Sequence, residues 1–360
     1  MRTSMRVAIT GVGVVNAGIV GDSAALGAFL AAPRPAPGVG AGGVARVPSS
    51  ALAGAIDVAE ARRLSRVCQL SIAAAKLAVA ESGVHAGLVV GTEFGDLAST
   101  HVFADGFLER GPSGLSPLLF PNTVMNTMAA TTAIAVGARE LALTLNAPTV
   151  AGELAVARAA AAIASGQAPA VLAGGVDEID PVVERALPAL GFAADRLGEG
   201  AAFLMLEAYE IAQARGATIL GQVAAAAWRS LPARPWGVGR RRRSRAIHTV
   251  LERAGIDAAH LGAVYSSASG DRRRDAWEAA VLAAALGPEA PPAATLARLL
   301  GRHAGLGVLR VAAAAWTARS GLLPAATEPS TVMTRVWPRP GLVHGLGRGG
   351  AHVALVVAGA

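Results

Sequence analysis

The chain has 360 residues, of which 53% are apolar, 16% charged and 4% aromatic, and its formal net charge is +7. At roughly 150 residues per compact unit the length suggests two units, with a core built from Ala, Val, Leu and Ile rather than from aromatics. Such hydrophobicity excludes wholesale disorder, and a single cysteine, Cys68, excludes a disulfide scaffold and leaves too few thiolates for a zinc or iron–sulfur centre.

Short β-rich runs alternate with longer alanine-rich helical stretches, the pattern of a layered α/β protein. Met1–Val20 has arginines and then apolar residues, loosely like a signal peptide. Gly11, Gly13 and Asn16 break that run, so Arg6-Val-Ala-Ile-Thr-Gly reads as a strand over Val7–Thr10 entering a glycine turn, and a cytoplasmic location is expected. A helix is predicted over Glu60–Ser82, carrying Cys68, then strands at Gly87–Thr92 and Leu141–Leu145. A helix follows over Ala151–Gly166, in which Ala155–Gly166 is the most alanine-rich run. Arg158 interrupts it and it falls short of the roughly 20 apolar residues of a membrane span, so no membrane association is expected. Strands follow at Ala170–Val176 and Ala201–Glu207.

After Arg215-Gly216 the pattern begins again, with a strand at Ile219–Val223, a helix over Arg243–Ala254 and a strand at Ala263–Ser267. Helices over Ala276–Leu286 and Val308–Arg319 and a strand at His352–Val357 complete it. Pro33–Pro48, Ser230–Val238 and Pro324–Pro340 read as Pro- and Gly-rich surface loops. The repetition suggests an internal duplication, with units at residues 1–210 and 211–360.

The positive charge is nearly all arginine, concentrated in Arg240-Arg241-Arg242-Arg243-Ser244-Arg245 and Arg272-Arg273-Arg274. No aromatics interleave with these runs to stack bases and no groove-binding motif precedes them, so a nucleic-acid partner is not expected and a solvated basic face is the simpler reading. His85, His101, His248 and His260 show no metal-ligand spacing, and His344 and His352 have no nearby carboxylate pair in the sequence.

Several stretches together resemble the β-ketoacyl synthases of the thiolase fold. These are Arg6-Val-Ala-Ile-Thr-Gly-Val-Gly-Val-Val, Leu115-Ser-Pro-Leu-Leu-Phe-Pro-Asn-Thr-Val-Met-Asn, Gly166-Gln-Ala-Pro-Ala-Val-Leu-Ala-Gly-Gly-Val-Asp, Gly198-Glu-Gly-Ala-Ala-Phe-Leu-Met-Leu-Glu and Gly347-Arg-Gly-Gly, in the family's order from about residue 5 to 357. The resemblance implies a five-layered αβαβα fold made of two duplicated halves with mixed sheets. It also implies a chemistry: a cysteine at the start of a buried helix, whose dipole favours the thiolate, and two histidines that stabilise the enolate left when a malonyl unit loses carbon dioxide.

Register with the family's motifs puts Thr149 at the cysteine position. The "H-G-T-G-T-x-x-N-D-x-x-E" tail is kept as Asp275 and Glu278, which puts Ser267 at the first histidine, and Gly301 is followed by Arg302 where the second histidine belongs. Threonine attacks an acyl group only if a base takes its proton, and neither Ser267 nor Arg302 does that; His303 lies one residue beyond. The resemblance is therefore to the non-catalytic chain length factor subunits of type II polyketide synthases, including the smaller relatives of aryl-polyene or reduced-polyene type. In such a subunit an active ketosynthase is the partner, phosphopantetheine-bearing acyl carrier protein delivers the chain, and no cofactor is bound by the subunit itself. Val124, Met125, Met128, Thr132 and Arg348 are the expected tunnel-lining residues, with Met125, Met128 and Thr132 on one helical face, and Arg240, Arg241, Arg242 and Arg243 are the expected carrier-protein docking site. The alternatives are a remodelled acyltransferase or hydrolase using Thr149, Ser266 or Ser267 with His303, and a non-enzymatic protein that binds acyl chains or carrier protein.

Overall fold

The computed structural model describes residues 6–40, 43–190, 196–327 and 330–360; the first five residues of the basic-then-apolar opening lie outside them. The strands are β1 (Val7–Asn16), β2 (Val20–Gly21), β3 (Gly87–Thr92), β4 (Ala142–Asn146), β5 (Ala170–Asp177), β6 (Gly200–Ala208), β7 (Gly221–Ser230), β8 (Ala263–Ser266), β9 (Ala293–Ala294), β10 (Leu322–Thr327), β11 (Ser330–Arg335), β12 (Gly341–Leu346) and β13 (Ala351–Ala358). The helices are α1 (Ser23–Ala31), α2 (Ser49–Leu52), α3 (Val58–Ala61), α4 (Arg66–Ser82), α5 (Leu97–Arg110), α6 (Thr127–Val136), α7 (Ala151–Ala164), α8 (Pro181–Ala189), α9 (Tyr209–Ala214), α10 (Arg245–Ala254), α11 (Arg272–Leu286), α12 (Ala297–Leu300) and α13 (Gly305–Ser320).

The topology repeats. The first half runs β4-β3-β5-β6-β1 across the sheet and the second runs β9-β8-β12-β13-β7. In each half the first two pairings are parallel and the last two antiparallel. The halves meet where β1 pairs antiparallel with β7, Val7 opposite Val223.

Five layers follow from the burial pattern. Helices α7 and α13 are buried on nearly every side and lie between the halves, packing on each other and on strands of both. They carry an Ala-, Val- and Leu-rich core with almost no aromatic volume, because alanine faces let two helices and two sheet faces approach closely. Outside the first half α4 and α6 cover the sheet; outside the second, α10 and α11 do so.

Several elements differ from their expected bounds for physical reasons. Gly11 and Gly13 are not a turn but lie inside β1, where a Cβ on Gly13 would come within 1.9 Å of the Ala74 carbonyl of α4; close helix–strand packing requires glycine there. The stretch Glu60–Ser82 is two helices, α3 ending at Ala61 and α4 starting at Arg66. β7 runs on to Ser230, since its alanines are held by pairing with β13 despite their helical propensity. The expected loop at Pro324–Pro340 begins instead with the β10–β11 hairpin, Leu322 opposite Arg335. No helix among the described residues is long and apolar enough to cross a membrane.

Candidate functional site

Three loops converge at the N-terminus of α7. Gly152 and Gly175 lie so close to the Ala304 carbonyl that a Cβ would approach it to 2.1 and 2.6 Å, and a Cβ on Gly347 would come within 2.4 Å of the Pro148 carbonyl. Glycine alone allows that approach. Thr149 stands immediately before the helix with φ of 70°, a left-handed conformation that a β-branched residue adopts only under strain. Thr149, Ser267, Arg302 and His303 all line one cavity, with Glu93, Ser269 and Arg310 among its other walls; it encloses about 10 Å³, room for about one water.

Ser267 follows β8 and is buried. Its hydroxyl donates to Glu278 Oε2 (2.8 Å) and accepts from the Leu346 N–H (3.0 Å) and Arg274 Nη1 (2.6 Å). One donor and two acceptor sites are thereby used, so no lone pair is left for attack. Arg274, 1% exposed, also donates to the Ser267 carbonyl (2.7 Å) and Ser269 Oγ (2.9 Å). Burial opposes ionisation of Glu278, but His344, Arg274 and the Ser267 N–H outweigh it and hold the pKa below the usual carboxylate range.

His344 corrects the sequence reading. Its Nδ1 lies 2.9 Å from Oε1 of Glu278, 66 residues away in the chain, so the fold supplies the carboxylate that its neighbours lack. His352 extends the line, with rings 5.9 Å apart and Nε2 3.0 Å from the Ser244 hydroxyl that caps α10.

Arg302 is closed on Glu93, its Nη2 lying 2.5 Å from both carboxylate oxygens. Asp177, ending β5, ties the two together: it accepts from the Glu93 N–H (2.8 Å) and the Ala304 N–H (2.7 Å). Burial, then the Glu93 charge, push its pKa up to about 6. His303 is buried, neither ring nitrogen meets a hydrogen-bond partner among the described residues, and burial followed by the Arg310 charge lowers its pKa to about 3. It is a neutral imidazole and a weak base.

The sequence reading missed Glu153, Arg310 and Glu93. Arg310 and Glu153 form an ion pair at 2.6 Å with side chains 4% and 0% exposed, and the carboxylate occupies space left by Gly307 and Gly345. Burial, opposed by Arg310, raises the Glu153 pKa. For Glu153 and Arg310 the available signal was a charge set among apolar residues of α7 and α13, which needs a partner when buried.

The expected tunnel residues separate. Asn126 caps α6, so helical periodicity begins at Thr127 and Val124 and Met125 precede it, 47% and 39% exposed. They do not share a helical face with Met128 and Thr132, which are fully buried against α4, Thr132 bonding Ser71 at 2.7 Å. Arg348 turns away from the cavity to Asp271, Nε and Nη2 at 2.5 and 2.9 Å, and to the Trp236 carbonyl. Arg240–Arg243 are exposed. Trp277 Nε1 donates to the Arg241 carbonyl (2.7 Å), which brings that run beside the exposed Arg272 and Arg273 of α11. Cys68 is buried in α4, its thiol pKa raised chiefly by burial.

A second surface is apolar. Val102, Phe107, Leu108, Leu118, Phe120 and Ile134 are all exposed, Leu118 by 89% and Ile134 by 83%, and among the described residues β4 is a sheet edge with one side unpaired.

Residues 48–212 match the family profile described as Beta-ketoacyl synthase, N-terminal domain. Among solved structures, the chain is similar to the ishigamide ketosynthase/chain length factor, with a TM-score of 0.87, 22% identity and coverage of 99% of this chain and 100% of that one. A type II polyketide synthase acyl carrier protein in complex with its ketosynthase bound to the hexaketide is also similar, with a TM-score of 0.83, 18% identity and 99% and 100% coverage. A granaticin polyketide β-ketoacyl synthase 1 of Streptomyces violaceoruber is 27% identical over 304 residues, 74% of this chain and 72% of the relative. A 3-oxoacyl-[acyl-carrier-protein] synthase 2 of Vibrio cholerae is 29% identical over 196 residues, 46% of each chain.

Proposed function

We propose that this chain, which matches the β-ketoacyl synthase profile over residues 48–212 and has a thiolase-like fold, is a non-condensing subunit, which pairs with an active ketosynthase and shapes the path of an acyl chain carried on acyl carrier protein. One observation carries the reading. The three positions that correspond to the family's cysteine and histidines hold Thr149, Ser267 and Arg302, packed into one ion-paired site with room for about one water. A thioester has no space there, and no group present is both a nucleophile and paired with a competent base.

The partner would cover the apolar surface around Leu118 and Ile134 and the open edge of β4. Val124 and Met125 then face the partner and contribute to the wall of a shared tunnel, while Met128 and Thr132 stay in the core against α4. Arg240–Arg243, joined by Arg272 and Arg273, offer an acidic carrier protein a charged landing site.

A second reading, a Thr149–His303 acyltransferase, draws on the strained Thr149 beside a neutral histidine. A base whose pKa lies near 3 takes a proton poorly at pH 7, which favours the first reading. Co-expression with a cysteine-bearing ketosynthase should give a stable heterodimer that extends acyl chains, while the lone chain mixed with acyl-thioester carrier gains no mass. A chain that never binds the ketosynthase, or a covalent acyl adduct that disappears in Thr149→Ala, sinks the proposal.

A further inference from the structure

At the far end of α7 from Thr149, about 20 Å away by the rise of a 14-residue helix, the central layers do not close. A cleft of about 720 Å³ remains between α7 and β7. Its floor is Ala160, Ala161 and Ala164 of α7 facing Ala224 and Ala226 of β7, with Trp228 as a wall. β7 explains the opening: its residues alternate between buried positions under α10 and partly exposed positions that face the cleft. Sheet faces in a layered α/β fold are ordinarily covered, and here short alanine side chains on both sides leave the space unfilled.

The mouth is cationic. Arg253 lines the cleft and reaches the Ala226 carbonyl at 3.0 Å, and the exposed Arg158 stacks its guanidinium 5.2 Å from the centre of the Trp228 ring. Neither has a carboxylate partner among the described residues, whereas Arg6 nearby is paired with Glu210 and stacked on Tyr209. The trough offers alkyl surface and one aromatic face; β7 pairs with β13 along its length but with β1 only at Gly221–Val223, so the free edge of Ala224–Trp228 also borders the cleft, its Ala226 carbonyl taken by Arg253. Clefts of roughly 300–1,000 Å³ with apolar walls and a few convergent polar groups are the usual form of a small-molecule site, and arginine forks at the rim suit a carboxylate or phosphate.

We propose that this cleft binds a single-tailed organic anion, its carboxylate or phosphate head on Arg158 and Arg253 and its aliphatic tail along the alanine trough against Trp228. The site is separate from the Thr149 cavity and does not depend on whether the chain is condensing.

Calorimetric titration of the full chain with dodecanoate, dodecyl phosphate and dodecanol, each below its micelle concentration, tests this. One equivalent of either anion should bind, and dodecanol should bind at least tenfold more weakly; the tighter anion identifies the head group. Arg158→Ala/Arg253→Ala, both on the surface and so compatible with folding, should weaken the anions about tenfold and leave the alcohol unchanged. Ala161→Trp, which fills the trough, should abolish binding of all three at an unchanged melting temperature. Absence of binding, equal binding of alcohol and anions, or anion binding that persists unchanged in the arginine double variant overturns the proposal.

Discussion

Thr149 and His352 both depart from the ordinary preferences of their residue types. Thr149 holds a β-branched side chain at φ of 70°. Such strain is worth about 1–3 kcal/mol, against about 0.5–1 kcal/mol for the extra chain entropy that glycine loses on folding. Strain wins, so Thr149→Gly should stabilise the chain by about 1 kcal/mol, read as a higher urea midpoint at constant slope; a lower midpoint would show that the hydroxyl does structural service that outweighs the strain. His352 is held neutral by burial first and by the His344 charge second, with a pKa lowered to about 4; Arg229 also faces it, and Ser244 takes its Nε2. Its folded pKa lies below the unfolded value near 6.5, so between pH 6.5 and 4 the unfolded chain binds the extra proton and this group removes stability as pH falls, by about 1.4 kcal/mol per unit. Asp177 works the other way, since its pKa is raised to about 6 and the folded chain takes the proton first. His352→Gln isolates the histidine's part. Whatever it costs at pH 7 through the lost Ser244 bond, its stability relative to wild type should improve by up to about 3 kcal/mol on going to pH 4. A pH-independent difference between the two proteins would refute the buried-neutral assignment.

Between residues and the whole fold stand elements such as the β1–α4 contact, where sequence and structure diverge instructively. Two glycines in a β-rich run look like a turn, yet Gly13 is in mid-strand because the Ala74 carbonyl and the Ala78 N–H of α4 lie where a Cβ would be, at 1.9 and 2.6 Å. Both obstacles are backbone, so the helix itself must move. Gly13→Ala should destabilise the chain by about 3 kcal/mol or more, at the upper end of overpacking effects, whereas Gly83→Ala, with open space but φ of 68°, should lose only about 1 kcal/mol; equal losses would mean that the helix does not pack as tightly as described. Period and composition located α7, α13 and most strands because their apolar runs are long. The β10–β11 hairpin was hidden by its prolines, and β7 by alanines whose helical preference sheet pairing overrides. At the candidate site, motif spacing identified Thr149, Ser267 and Arg302, which the fold does bring to one cavity. It could not identify Glu93, Glu153 or Arg310, since their partners are far away in sequence and ion pairing is a property of the folded arrangement.

Across the whole molecule, the two halves share a strand order but not a surface. The second half closes its sheet on α10 and α11, whereas residues 102–134 of the first expose a run of large apolar side chains beside the unpaired edge of β4. Sequence alone does not separate these side chains from core, because Leu118 and Ile134 are the same residue types that fill the interior. Only solvent exposure marks them, and a monomer seldom leaves so much apolar surface and a strand edge in water. Ile134→Asp therefore discriminates between structural and interface roles. The side chain is 83% exposed, so in the lone chain the substitution should change stability by no more than about 0.5 kcal/mol. In the proposed complex with a ketosynthase the introduced carboxylate would be desolvated against an apolar face, and removing an unpaired charge from water is costly. Size-exclusion chromatography of the co-expressed pair should then show at least tenfold weaker association with the ketosynthase, and chain extension should fall with the fraction of heterodimer. If association is unchanged while the lone chain keeps its melting temperature, the partner lies elsewhere, and the apolar segment needs a different occupant.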